Sequence, residues 1–156
     1  STGHTTYSTM HASSIQEVVN RLQNDPINVP LMMLSALNIL SIQILTHVRG
    51  ERVRRTQLMV EITGIEPTTN NIRINETFRW NPVSDTFEKL SDSQILEDIR
   101  VNRGWSPPEL REELTKREMV LKYMVKKNIR DYKSVSSMIQ AYSLNPNKVL
   151  KEIGEI

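Results

Sequence analysis

The residues best equipped for chemistry cluster at the start of the chain. His4, Thr5, Thr6, Ser8, Thr9 and His11 gather around Gly3. Two imidazoles and four hydroxyls offer hydrogen bonds of the kind a phosphate accepts. On an extended strand His4 and His11 point to opposite faces, because their separation is odd. They converge only if the chain turns before His11, at the junction with a helix opened by Ser14. A helix N-terminus there supplies free backbone N–H groups and a partial positive charge, both favourable to phosphate. The alternative is a polar strand end satisfied by local hydrogen bonds. Zinc is a poorer fit: His-x6-His has no Cys beside it and no Asp or Glu at ligand spacing. His47, inside an apolar strand, reads as a packed imidazole. A second cluster is Arg49, Arg52, Arg54 and Arg55. Residues 1–90 carry seven Arg and one Lys, a bias that suits bidentate capture of phosphate or carboxylate; a solvated turn is the plainer reading.

These groups must be positioned by the surrounding elements. The β-branched and aromatic stretch at the N-terminus reads as the end of a buried strand, which needs partners on both sides. With no initiator Met and no polar leader, it suggests a fragment of a longer protein. Ser14-Ile15-Gln16-Glu17 matches a capping box, and Ile15, Val18, Val19 and Leu22 give an amphipathic helix to about Gln23. Asp25-Pro26 and Val29-Pro30 bracket a loop. Leu31 to Leu40 predicts a buried helix, Ile42 to Val48 a strand, and Arg49-Gly50-Glu51 a turn. Leu58, Val60 and Ile62 alternate with Gln57, Glu61 and Thr63. Ile72, Ile74, Phe78 and Trp80 oppose Arg73, Asn75, Thr77 and Arg79. Joined through Glu66–Asn70, these two strands form a hairpin, and a short third strand near Phe87 extends it to an antiparallel β-meander.

From Ser91 the period becomes helical. Ser91 and Gln94 suggest a capping box before Ile95, Leu96 and Ile99, and Gly104 ends that helix. Ser106, Pro107 and Glu109 start the next. Its predicted apolar face is Leu110, Leu114, Leu121, Met124, Val125 and Ile129, with Glu112 and Lys116 paired outside. Two shorter helices, Tyr132 to Tyr142 and Asn145 to Ile153, close the chain. The expected organisation is 1–90 and 91–156.

Composition narrows the classes. The chain has 156 residues with 20 Lys plus Arg against 18 Asp plus Glu. A formal charge of +2 gives no field arguing for nucleic acid, and no basic face is interleaved with aromatics. Zero Cys rules out disulfides, a thiolate zinc site and a cysteine nucleophile. No apolar run reaches the roughly 20 residues that span a bilayer. No Gly-x-x-x-x-Gly-Lys-Ser/Thr loop is present, so the chain cannot cradle a triphosphate by itself. No Ser-His-Asp order or paired-carboxylate arrangement stands out.

The segment Thr2-Gly3-His4-Thr5-Thr6-Tyr7-Ser8-Thr9-Met10-His11-Ala12 resembles the His box of the secretion ATPase superfamily, which powers type II secretion, type IV pili and the archaellum. Arg21-Leu22 with Pro26-Ile27-Asn28-Val29-Pro30 is similar to the helix-to-loop segment of its archaeal members. Val53-Arg54-Arg55 leading to Val60-Glu61-Ile62-Thr63-Gly64, then Phe78-Arg79-Trp80-Asn81-Pro82, is similar to their late strands. The resemblance covers residues 1 to about 130. It implies an α/β chain: the C-terminal part of a RecA-like P-loop ATPase domain after Walker B, with a β-meander and a helical tail.

By that resemblance His4, Thr9 and His11 are catalytic, lying near the phosphates and sensing the γ-phosphate. Gly3 and Arg21 belong to the nucleotide site, while Arg54 and Arg55 lie near the nucleotide edge or a subunit boundary. The parent would bind ATP and Mg²⁺, and the fragment no cofactor. The parent would be a cytoplasmic homo-hexamer at the inner face of the membrane, working on a polytopic membrane platform protein and not on nucleic acid. The absence of the tetracysteine module of bacterial type II secretion ATPases supports the archaeal branch and argues against zinc. A non-enzymatic interaction module, binding a partner through meander and tail, is the alternative.

Overall fold

A computed structural model describes residues 4–66, 68–69 and 71–154. The chain is α/β: a four-stranded antiparallel sheet preceded by two helices and followed by C-terminal helices. It divides into two compact units, Ser1–Asp98 and Ile99–Ile156.

In the first unit, α1 (Ile15–Gln23) and α2 (Leu31–Leu34) precede β1 (Ile39–Val48), β2 (Glu51–Ile65), β3 (Ile72–Asn81) and β4 (Thr86–Lys89), which pair in chain order. The predicted helix Leu31 to Leu40 is wrong in extent. It ends after one turn, and Ile39 and Leu40 already belong to β1; an unbroken apolar run does not reveal its own period. Met32 and Met33 are exposed, so this turn is not buried all round. The arginine cluster is likewise not one turn. Arg49 and Gly50 both have positive φ, 50° and 85°, and form the two-residue loop of a β1–β2 hairpin. Arg52, Arg54 and Arg55 lie on β2 itself, so the meander gains a fourth strand.

Bulges interrupt the ladder at Ile42/Gln43, Met59/Val60 and Ile62/Gly64. Each inserts a residue on one strand and re-aims its neighbours. Along β2 the consecutive residues Val60, Glu61 and Ile62 are all buried, which simple alternation would not allow. The core of this unit adds Val18 and Val19 of α1, Leu34 and Trp80. At Gly64 φ is +140°, and a Cβ would sit 3.2 Å from Arg73 Nη2. The β2–β3 connection is closed by Glu66 N–H donating to Asn71 O at 2.7 Å; Pro67 and Asn70 of the predicted turn lie outside the described residues.

The division between units falls within α3 (Gln94–Arg103). In the second unit α4 (Pro107–Lys126), α5 (Tyr132–Leu144) and α6 (Pro146–Glu152) enclose a core of Val120, Met124, Tyr142, Val149 and Leu150. The predicted face of α4 is rotated. Leu121 and Val125 are exposed at 54% and 76%, while Val120 and Met124 are buried with Met119 beside them. The inward stripe passes through Glu113, which accepts from the Tyr142 hydroxyl at 3.2 Å; a carboxylate on the buried face hid the true period. Two helices end in Schellman motifs. Gly104 (φ +67°) follows α3 with Trp105 N–H bonded to Arg100 O at 2.9 Å, and Asn128 (φ 54°) follows α4 with Ile129 N–H bonded to Met124 O at 2.9 Å.

Candidate functional site

The predicted phosphate-facing segment is not a strand here. Residues 4–12 have no regular secondary structure, and His4, Thr9 and His11 are exposed. A buried strand needs ladder partners, and the sheet among the described residues is built of β1 to β4. Gly3 lies outside the described residues.

The segment leads into α1, whose N-cap is Ser14; its hydroxyl accepts from Glu17 N–H at 3.2 Å. The reciprocal half of the capping box is shifted by one residue. Glu17 takes the N–H and hydroxyl of Ser13, at 2.8 and 2.7 Å, in place of those of Ser14. Arg21, one turn on, is bound to Glu17, with Nη2 2.6 Å from Oε1. The Ser13 bonds, backbone first, together with Arg21 push the Glu17 carboxyl down to about 2. The first turn of α1 therefore already holds an anionic side chain. Between Ser13–Ile15 and the sheet residues Ile42, Leu58, Arg79 and Trp80 lies a groove of about 380 Å³. It starts two residues after His11.

Arg54 and Arg55 separate. Successive strand residues face opposite sides, and Arg55 turns to the β3–β4 loop, where Nε and Nη2 each donate to a carboxylate oxygen of Asp85 at 2.8 Å. Nη1 donates to Arg54 O at 2.9 Å, and Trp80 Nε1 donates to Asp85 Oδ1 at 2.9 Å. Held by Arg55 first and Trp80 second, the Asp85 carboxyl titrates far below the ordinary carboxylate range. Arg54 is exposed.

Sequence reasoning placed Glu61 on a solvated face, yet it is 3% exposed. Its carboxylate accepts from Ser93 Oγ, from Asn75 Nδ2 at 3.1 Å and from Gln94 N–H at 2.9 Å. Ser91, predicted as the cap of α3, bonds to Asn75 Oδ1 and Glu76 O. Ser93 caps the helix, accepting from Leu96 N–H at 3.0 Å. Burial raises the Glu61 carboxyl, but the hydrogen bonds from Ser93, Asn75 and the α3 backbone outweigh it, and the net direction is down. No local motif announces contacts that span 14 to 34 residues. Among the described residues no group of three or more His, Asp or Glu could hold a metal ion, and no helix is long and apolar enough to cross a membrane.

Residues 83–155 match the model of a family described as PilB3-like, C-terminal. Three relatives come from Methanocaldococcus jannaschii. The uncharacterized protein MJ1287 is 38% identical over 125 residues, 80% of this chain and 46% of its own length. Uncharacterized protein MJ0900 is 33% identical over 145 residues, 90% of this chain and 26% of its own. Uncharacterized protein MJ0781 is 32% identical over 145 residues, 93% of this chain and 20% of its own. The chain thus spans less than half the length of each of these relatives.

Proposed function

We propose that this chain works as the C-terminal region of a motor ATPase of the pilus, archaellum and secretion class. The single observation that carries the reading is the match of residues 83–155 to the PilB3-like C-terminal family. The His-box resemblance of residues 2–12 supports it independently, from the other end of the chain. The nucleotide and its Mg²⁺ are bound chiefly by a P-loop outside this sequence. His4 and His11 approach the terminal phosphate, with Thr9 between them, so that loss of the γ-phosphate changes their hydrogen bonds. Arg21 steadies this segment through Glu17. A RecA-like core, a homo-hexameric ring and a membrane platform partner complete the proposal. Hydrolysis would turn one domain against this one.

Purified alone, the chain releases no phosphate from Mg-ATP above the buffer blank. In the source organism, deleting its coding region abolishes a surface filament or a secretion activity, and His11→Ala does the same at unchanged protein level. Release by the isolated chain, or normal filaments and secretion in both strains, would contradict the proposal.

A further inference from the structure

Helix α4 carries two apolar faces. Val120 and Met124 belong to the core of the second unit. Leu110, Leu114, Leu121 and Val125 form another stripe, within about 60° of one another around the axis and roughly 90° from the first. Leu110 is half-buried, while Leu114, Leu121 and Val125 are exposed. A helix whose only neighbour was its own core would be polar along that second line.

Cations border the stripe. Helical spacing puts Arg111 and Lys122 on one flank and Arg117 on the other, with Lys126 and Lys127 following Val125. Lys122 Nζ lies 2.7 Å from Glu118 Oε1. Arg117 is bound to Glu113 at 2.7 Å, its guanidinium 5.8 Å from the centre of the Tyr142 ring. Arg111 and Lys126 are exposed, and neither is ion-paired among the described residues. Residues 116–133 hold seven Lys or Arg against two Asp or Glu. Exposed aliphatic side chains within a polar rim mark a protein-docking surface, and the sign of this rim selects an acidic partner.

A second copy of α4 answers this pattern poorly. The stripe is symmetric about its midpoint, so an antiparallel copy could set Leu114 on Leu121. The same register would bring Arg111 beside Lys122 and Glu118 beside its own twin, like charges that oppose docking. An anionic lipid surface would repel Glu118, which flanks the stripe.

We propose that this face of α4 docks an acidic amphipathic helix of a partner protein. Aliphatic residues at i, i+4, i+7 and i+11 of that helix lie along Leu114, Leu121 and Val125, and its Asp or Glu residues meet Arg111, Lys122 and Lys126. The proposal rests on this face alone and not on the motor reading.

Titration calorimetry of the folded chain tests it with a synthetic peptide of about 18 residues, carrying Leu at i, i+4, i+7 and i+11 and Glu along both flanks. Saturable binding is expected, and a twin peptide with Lys in place of Glu binds about tenfold more weakly or less. Leu121→Ser/Val125→Ser weakens binding of the acidic peptide about tenfold or more, because two aliphatic contacts are lost. Arg111→Gln/Lys126→Gln weakens it less and flattens its salt dependence, and Val83→Ser, at an exposed apolar position of the first unit, binds as the parent does. Circular dichroism confirms that each variant is folded. No saturation at millimolar acidic peptide, equal binding of the two peptides, or undiminished binding by Leu121→Ser/Val125→Ser overturns the proposal. So does self-association that Leu121→Ser/Val125→Ser abolishes, which would put a second copy on the stripe. Binding to phosphatidylglycerol vesicles that the same variant loses, and that the acidic peptide fails to compete away, overturns it as well.

Discussion

Replacing Glu61 should loosen the start of α3 more than its position in a polar-looking strand pattern suggests. Glu61→Ala removes the acceptor of Gln94 N–H at 2.9 Å, Asn75 Nδ2 at 3.1 Å and Ser93 Oγ. Asn75 keeps Asp92 O at 2.8 Å, so its loss is discounted, while the Ser93 and Gln94 donors are left inside a part-buried site. At about 1–1.5 kcal/mol for each of these two orphaned donors, the cost is about 2–3 kcal/mol. Glu61→Gln retains one oxygen but turns an amide NH₂ toward the donors, and costs about 1–2 kcal/mol. The pH dependence has a definite sign. Because the folded-state carboxyl titrates below its unfolded value, its stabilisation is full above the ordinary carboxylate range and is lost as pH falls through the lower folded value; Glu61→Gln removes that component. Urea unfolding followed by Trp80 fluorescence in a Trp105→Phe background gives the free energies, and hydrogen exchange of the Gln94, Ile95 and Leu96 amides gives the local effect. A loss below about 0.5 kcal/mol in Glu61→Ala, with protection of those amides unchanged, would refute the reasoning.

Asp85→Asn keeps a residue tolerant of the observed φ of 56° but removes the charge held by Arg55; stability should drop by about 1–2 kcal/mol, with a shift in Trp80 emission, and an unchanged urea midpoint would count against the ion pair. Gly64→Ala forces a side chain onto φ +140° and should cost about 1–3 kcal/mol; a melting temperature equal to the parent's would show that the bulge relaxes freely. Asn128→Gly should be neutral or raise stability by up to about 1 kcal/mol, whereas Asn128→Val should lower it, because the residue occupies the left-handed position of a Schellman motif. Equal melting curves for the two variants would rule that out.

The legible parts of the fold were those fixed by short-range rules. Ser14, Ser106 with Pro107, and Gly104 mark helix boundaries through local hydrogen bonds and backbone preference, and the structure places helices α1, α3 and α4 accordingly. The alternation from Leu58 to Trp80 gave the hairpin of β2 and β3. What escaped depends on partners distant in sequence. Glu61 and Thr63 look equivalent by parity, yet bulges and the arrival of Ser93 bury Glu61. Leu121 and Val125 look like core until Glu113 and Tyr142 are seen to share the inward stripe. The arginine run read as one basic cluster, but strand parity sends Arg55 to Asp85 and Arg54 to the opposite side. At the candidate site, His4, Thr9 and His11 were recognisable as a motif, whereas the irregular course of residues 4–12 was not, because a β-branched and aromatic run reads as strand whether or not it is paired.

The central claim is that this chain carries the phosphate-sensing part of a motor ATPase, and steady-state ATP turnover by the full-length gene product is its most direct test. With wild-type protein and His4→Ala and His11→Ala variants of equal folded content, the account predicts measurable hydrolysis that falls at least about tenfold in each variant, the effect expected on losing a preorganised phosphate contact. Turnover close to wild type in both variants, or no ATP hydrolysis by the intact protein, would contradict it.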